Sequence, residues 1–253
     1  MAAQIVFMAL LGLIAGSFLS VVAHRVPLGE SIIAPRSRCP SCGTQIAAYD
    51  NVPLFSYLAL RGRCRHCDAT VPATYPLLEL GLAAIFVGIL LRYPDDGIAI
   101  ALGSCLTATL AAITLTDLEH RLIPNRILLV SALVAVALLL AGDRDALVEH
   151  LLAAAIAFAV LFVVALAYPR GMGMGDVKLA GLMGLYLGKA VAPALLIGFA
   201  AGALFGLALI ASRGAEARKQ AVPFGPFLAL GGVVAIFCGV EIVDWYTDTF
   251  FAS

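Results

Sequence analysis

The chain has 253 residues, of which 62% are hydrophobic and only 13% are charged, and its mean hydropathy is +1.01. This composition excludes an ordinary soluble domain and predicts a membrane protein whose main partner is the lipid bilayer. Sixteen basic residues balance sixteen acidic residues, so the net charge supplies no basic surface and we expect no nucleic-acid partner.

Eight apolar segments follow one another, each bounded by charges, glycine or proline, and they predict an all-α polytopic fold with about eight transmembrane helices. The first lacks a basic start and a cleavage site, so we expect a retained helix at 1–23 and no cleaved signal peptide. The sixth is short for a hydrocarbon core of about 30 Å. After the first segment, the others lie at about 76–92, 97–116, 127–141, 146–168, 177–188, 190–211 and 226–243.

Lysine and arginine predict the orientation, because short cytoplasmic loops are enriched in them. If the long polar segment 24–75 is cytoplasmic, only Arg92, Arg144 and Lys189 lie on the opposite side. Both termini are then predicted outside. Thirteen basic residues share the cytoplasmic side: Arg25, Arg36, Arg38, Arg61, Arg63, Arg65, Arg121, Arg126, Arg170, Lys178, Arg213, Arg218 and Lys219.

Segment 24–75 is too short to build a large hydrophobic core alone, and it carries two Cys-x-x-Cys pairs. The four thiols, Cys39, Cys42, Cys64 and Cys67, have the spacing of a structural tetrahedral zinc site. Two disulfides are the alternative, which a reducing cytoplasm disfavours. We therefore predict a first transmembrane helix at 1–23, a cytoplasmic four-cysteine zinc-binding domain at 24–75 and a multi-helix membrane domain at 76–253.

Two aspartates, Asp117 and Asp176, fall at predicted cytoplasmic helix ends. Each alone is compatible with a helix cap or a solvated interface charge. If their helices adjoin, the two carboxyls can share a proton. Aspartic proteolysis uses such a pair, in which one carboxyl group is ionised and the other is protonated. Glycines at 171, 173 and 175 leave room for an extended substrate beside Asp176, or they form a mobile hinge.

Glu79 lies a few residues into the second predicted span. A carboxylate there is costly unless it faces protein or water, so it is a functional candidate, with snorkelling to the interface as the alternative. Lys178, two residues after Asp176, is expected to be an interface anchor and not a catalytic base.

With these motifs the chain resembles the type IV prepilin peptidases, bacterial inner-membrane enzymes that also N-methylate their products. Two positions depart from the family pattern: Ser20 stands where asparagine is usual, and Asn125 where aspartate is frequent. The matching segments include the two cysteine knuckles and, around them, Gly16–Pro27, Tyr49–Pro53, Leu60–Cys64, Tyr75–Leu80, Asp117–Asn125, Gly173–Leu179 and Pro223–Phe227.

The resemblance implies that Asp117 and Asp176 are the catalytic pair of a peptidase domain at 76–253, acting on the cytoplasmic face of the inner membrane. Such enzymes cut type IV prepilins or pseudopilins after the glycine that ends a basic leader. They then methylate the new N-terminal amine with S-adenosylmethionine, and the four-cysteine loop favours this bifunctional type. Pilus or secretion assembly components are the further partners that the resemblance suggests. Glu79 is the candidate for a methyl-transfer role.

Two other classes of function stay open at this point. A proton-coupled transporter also places acids near helix ends, but it does not account for the cysteine knuckles. A non-catalytic scaffold with a zinc module accounts for the knuckles and leaves both aspartates as ordinary interface acids. The methyl-donor site is not located, since no glycine-rich nucleotide-binding loop is present. Shortening of a prepilin by the purified protein distinguishes the three classes.

Overall fold

A computed structural model describes residues 1–142, 144–168, 171–214 and 222–251. Within these ranges the protein is helical and has no β-strand, only two isolated antiparallel bridges in the polar segment. The predicted all-α class is confirmed. The helices are α1 (Ala2–Arg25), α2 (Phe55–Ala59), α3 (Thr74–Arg92), α4 (Gly97–His120), α5 (Asn125–Gly142), α6 (Ala146–Ala167), α7 (Met174–Leu187), α8 (Val191–Arg213) and α9 (Gly225–Phe250).

Seven helical stretches of the described chain are long and apolar enough to cross a membrane. One of them, Met174–Arg213, has 40 residues, and at 1.5 Å per residue it would be about twice as long as the hydrocarbon core is thick. It is divided by a 3₁₀ turn at Gly188–Ala190, where Gly188 has a φ of +54°. The sixth and seventh predicted segments are therefore two separate helices, α7 and α8.

The chain divides into two compact units, Met1–Pro94 and Asp95–Ser253. Helix α3 thus belongs with α1 and the polar segment, and not with the helices that follow it. The predicted functional division at residues 75 and 76 stays a prediction.

In the first unit, α1 and α3 pack backbone against backbone. A Cβ atom at Gly12 would lie 2.5 Å from Ala83 Cα, and one at Gly16 would lie 2.6 Å from Glu79 Cα, so only glycine fits at either position. This close approach brings together the end of α1 and the start of α3, which flank the polar segment 26–73 in the sequence.

In the second unit, α7 is the central helix. It packs against α4, α5, α6, α8 and α9, and its side chains are buried on nearly every side from Val177 to Tyr186. A Cβ atom at Gly184 would lie 2.6 Å from Ala154 Cα on α6. Because other helices enclose α7, its 14 residues need not match the thickness of the lipid core.

Three of the basic residues used to predict the orientation, Arg170, Arg218 and Lys219, lie outside the described residues.

Candidate active site and metal centre

Asp117 lies in the last turn of α4, which continues to His120, four residues further than the sequence predicted for the apolar span. Its side chain is buried, with 7% of the residue exposed. The carboxylate oxygen Oδ2 accepts a hydrogen bond of 2.8 Å from the backbone N–H of Gly225, the first residue of α9. The first N–H groups of a helix have no partner within the helix and carry its positive dipole end, so the start of α9 holds the Asp117 carboxylate in place.

The structure leaves no space for a side chain at position 225. A Cβ atom there would lie 2.8 Å from Asp117 Oδ2 and 3.3 Å from Asp117 Cβ. In the sequence, the Pro223–Phe227 segment is notable only as part of the family resemblance. Its contact with Asp117 was not predicted.

Asp176 lies in the first turn of α7 and is half-buried. Its Oδ2 accepts a longer hydrogen bond, 3.3 Å, from the backbone N–H of Gly173, the residue that caps the helix. Two glycines of this segment serve packing: a Cβ at Gly173 would lie 3.3 Å from Asp176 Oδ2, and one at Gly175 would lie 3.0 Å from Ile123 Cβ. The helix start is therefore fitted closely against the turn that follows α4.

The structure brings the two predicted aspartates to the same end of the second unit. Asp117 lies in the last turn of α4 and Asp176 in the first turn of α7, and Ile123, in the turn after α4, packs against Gly175, the residue before Asp176. Lys178 does not compete for either of them: its Nζ donates a hydrogen bond of 2.9 Å to Asn125 Oδ1 and joins the start of α7 to the start of α5. The expected role of Lys178 as a cytoplasmic anchor stays a prediction.

In the first unit, the four predicted cysteine ligands form one cluster, in which all four sulfur atoms lie within 4.8 Å of one another. The Sγ atoms of Cys39 and Cys67 are 3.8 Å apart. Four sulfurs around a zinc ion at about 2.3 Å are about 3.8 Å from each other, whereas disulfide sulfurs are about 2.05 Å apart. The spacing therefore fits a tetrahedral zinc ion.

The two knuckles are built alike, with an offset of 25 residues that the sequence analysis did not detect. The Cys39 N–H donates to the carbonyl of Thr44 at 2.9 Å, and the Cys64 N–H donates to the carbonyl of Ala69 at 2.9 Å. The residue after the second cysteine has a positive φ in both, +70° at Gly43 and +54° at Asp68. Each turn thus folds back after its second cysteine.

Backbone amides point at the sulfurs and prepare them for a cation. The N–H groups of Cys42 and Ser41 lower the pKa of Cys39, and those of His66 and Cys67 lower the pKa of Cys64. The Ala69 N–H lowers the pKa of Cys67, but desolvation and the neighbouring thiols raise it to about 12. Four thiolates this close together need a cation to share them.

An ion pair supports the second knuckle. Arg65 Nε and Nη2 donate to the two carboxylate oxygens of Asp50 at 2.8 and 2.6 Å, and Arg65 also lies over the Tyr49 ring. The Arg65 guanidinium lowers the pKa of Asp50, chiefly through these hydrogen bonds. Because Arg65 follows Cys64 directly, this bidentate contact fixes the knuckle against the turn at 48–51.

Glu79 does not snorkel. It is buried, with 7% of the residue exposed, and its Oε2 accepts a hydrogen bond of 2.7 Å from the Leu54 backbone N–H. Leu54 has a φ of +61°, an unfavourable conformation for a side-chain-bearing residue, so this contact holds a strained turn of the polar segment against α3. Nothing in the sequence predicted that Leu54 would contact Glu79.

The fold and these clusters define a polytopic helical membrane protein with two aspartates at one end of one unit and a four-cysteine cluster that fits a metal ion in the other. Comparison with known proteins assigns the family. Residues 10–93 match the bacterial peptidase A24 N-terminal domain, and residues 104–207 match the type IV leader peptidase family.

Several similar proteins carry the name prepilin leader peptidase/N-methyltransferase. The one from Burkholderia pseudomallei strain 1026b is 35% identical over 93% of this chain and 86% of its own length. That of Aeromonas hydrophila is 35% identical over 95% and 93%, and that of Bacillus subtilis is 36% identical over 93% and 94%. No solved structure matches the chain. The chain belongs to the type IV leader peptidase family, and the predicted resemblance is confirmed.

Proposed function

We propose that the chain is a bifunctional membrane enzyme that removes the basic leader from type IV prepilins or pseudopilins and N-methylates the new N-terminal residue. The observation that carries the proposal is the convergence of Asp117 and Asp176 at one end of the second unit, where each accepts a backbone hydrogen bond at a helix start. Family membership supports the same reaction.

The peptidase reaction uses the two aspartates as base and acid. Asp117 is the ionised partner, because its hydrogen bond from Gly225 is 2.8 Å long whereas that of Asp176 from Gly173 is 3.3 Å. Asp117 takes a proton from water as the water oxygen bonds to the scissile carbonyl carbon, and Asp176 protonates the carbonyl oxygen. When the carbon–nitrogen bond then breaks, the departing amine receives the proton held by Asp117, and a hydroxyl group of the intermediate returns a proton to Asp176 as the new carboxyl group forms.

The methyltransferase reaction requires S-adenosylmethionine, which supplies an electrophilic methyl group on a sulfonium sulfur. The chain must present the pilin amine in its neutral form to that methyl group. We assign Glu79 to this step, because its buried carboxylate at the junction of the polar segment and α3 can hold the substrate ammonium and accept its proton.

The four cysteines hold a structural zinc ion in this proposal. Four protein ligands close the coordination shell and leave no position for water, so the ion organises segment 24–75 and does not catalyse.

The basic residues support a cytoplasmic position for the aspartate pair in the inner membrane. Arg121 and Arg126 follow α4 and begin α5, Lys178 lies at the start of α7, and Arg213 ends α8, all at the end of the second unit that carries Asp117. Short cytoplasmic loops are the ones enriched in such residues. On this placement the leader is cut before it crosses the membrane.

The test supplies purified variants with intact prepilin, with precleaved pilin and with labelled S-adenosylmethionine, and scores both products. Asp176→Asn should fail to cut prepilin and should still methylate precleaved pilin. Cys39→Ser should lose more methylation than cleavage. If Asp176→Asn also fails to methylate precleaved pilin, or if Cys39→Ser loses both activities in parallel, the two activities do not have separable sites.

A further inference from the structure

The first unit contains a cavity of about 350 Å³, and Glu79, the residue assigned to methyl transfer, lies in its wall. Its walls come from three parts of the unit: the second half of α1, the polar segment including both cysteine knuckles, and the first turns of α3. Cys39 and Cys64, one ligand from each knuckle, line it directly. The cavity therefore exists only while the knuckles are folded against the α1–α3 pair.

The cavity walls combine flat, cationic and anionic groups. Tyr57 and Tyr75 line the cavity with aromatic side chains, Arg25 with a guanidinium, and Glu79 with a buried carboxylate. Arg25 Nη1 is held by a hydrogen bond of 3.0 Å to the Ser31 carbonyl, and Glu79 by its bond from Leu54, so the two charges are fixed in place. Small-ligand sites are of this kind: about 300–1,000 Å³, largely apolar, with a few fixed polar groups.

We propose that this cavity is the binding site for the methyl donor, S-adenosylmethionine, an inference that rests on the proposed methyltransferase function. The donor carries a purine, a carboxylate and two positive charges, on its sulfonium and its ammonium. Aromatic rings stack on a purine, a guanidinium pairs with a carboxylate, and a buried carboxylate attracts a sulfonium. The cavity thus supplies counterparts for the purine, the carboxylate and the sulfonium of the donor, without a glycine-rich nucleotide-binding loop.

The position of the cavity also relates the metal centre to methylation. Zinc ligands line the cavity, so loss of a knuckle deforms the donor site, whereas the aspartate pair belongs to the other compact unit. This arrangement is the structural reason to expect that knuckle damage affects methylation more than cleavage.

The first test fills the cavity by a matched pair of substitutions on one helix. Val21 lines the cavity on α1, and Val6 lies on the same helix, exposed and outside the lining. Val21→Phe should weaken binding of labelled S-adenosylmethionine to the purified full-length protein about tenfold or more. Val6→Phe should bind like the wild type, and both variants should still cut prepilin.

A second pair tests the aromatic wall in the same way. Tyr57 lines the cavity, whereas Phe55, on the same short helix α2, is exposed and outside the lining. Tyr57→Ala should weaken donor binding, and Phe55→Ala should not.

The wild-type protein provides an independent measurement that no folding defect can disturb. A photoreactive azido analogue of the donor, crosslinked and mapped by peptide mass spectrometry, should label peptides that contain residues 17–25, 50–60 or 75–79. Unlabelled S-adenosylmethionine should suppress this labelling.

Labelling of peptides in 95–253 only, or equal donor binding by Val21→Phe and Val6→Phe together with wild-type binding by Tyr57→Ala, overturns this site and leaves the methyltransferase function standing. If the wild type neither binds the donor nor methylates precleaved pilin, the methyltransferase function fails and this inference fails with it. Suppression of the labelling by a pilin N-terminal peptide and not by the donor also overturns it, because the cavity would then be the amine site.

Discussion

Replacing Gly225 with alanine tests how the start of α9 holds Asp117. The new Cβ atom would lie 2.8 Å from Asp117 Oδ2, whereas ordinary contacts of a Cβ atom are 3.4–4 Å. The carboxylate or the helix start must therefore move by about 0.6 Å, the difference between 2.8 and 3.4 Å. That displacement weakens the hydrogen bond of 2.8 Å from the Gly225 N–H.

A hydrogen bond to a charged group contributes about 1.5–3 kcal/mol, so its loss from the transition state lowers the rate about 10-fold to 100-fold. The assay is the initial rate of leader removal from purified prepilin, with methylation of precleaved pilin measured in parallel. We expect Gly225→Ala to lower cleavage by that factor and to leave methylation near the wild-type level, because the methyl-transfer residues belong to the other unit.

Gly206→Ala is the matched control, since a Cβ atom at Gly206 on α8 meets nothing within 4 Å. It should cut prepilin at the wild-type rate. Wild-type cleavage by a folded Gly225→Ala protein would refute the idea that the position of the Asp117 carboxylate is set by the start of α9.

The other substitutions address the metal centre, the buried glutamate and the helix contact of the first unit. Cys39→Ser should lose zinc and make segment 24–75 more sensitive to protease, whereas Cys238→Ser, which removes a cysteine outside the cluster, should keep one zinc per chain by metal analysis. Glu79→Gln should reduce methylation of precleaved pilin and retain cleavage, and equal loss of both activities would contradict its assignment. Gly12→Ala should destabilise the protein by about 1–3 kcal/mol in thermal or denaturant unfolding, because its Cβ would lie 2.5 Å from Ala83 Cα. Gly81→Ala on α3, whose Cβ would meet nothing within 4 Å, should unfold like the wild type.

Much of the helical framework could be predicted, because apolar segments bounded by polar residues report helix position directly. Most predicted spans end within four residues of the helices in the structure, and the exception is α9, which continues to Phe250, seven residues beyond the prediction. Polar residues such as Asp244 and Asp248 suggested an earlier end. The helix nevertheless continues past both residues to Phe250, and side chains in its last turns, such as Trp245, are exposed.

The candidate ligands and acids were also visible in the sequence, because thiol pairs and isolated carboxylates near apolar segments are rare and costly. The sequence did not predict the hydrogen bonds that position these side chains. The Gly225 N–H lies 108 residues from Asp117 along the chain, and the Leu54 N–H lies 25 residues from Glu79. Both donors are backbone groups, which every residue has, so their partners depend on how the helices pack.

The cavity in the first unit was also not predicted, because it depends on how separate parts of the chain pack together. Its lining residues, from Ser17 to Glu79, come from one helix end, two turns and the start of another helix, and no sequence pattern brings them together. The sequence showed that the span of α7 is short, but its enclosure by five other helices depends on tertiary packing.

The central claim is that Asp117 and Asp176 together cut the leader, and mass spectrometry of a co-expressed prepilin tests it most directly. Wild-type protein should yield a pilin that has lost its leader and gained one methyl group. Asp117→Asn and Asp176→Asn should each accumulate in the membrane at wild-type levels and leave the prepilin at full length, because each lacks one member of the acid–base pair. A leaderless pilin produced at the wild-type rate by either variant would contradict the claim and remove that aspartate from the reaction.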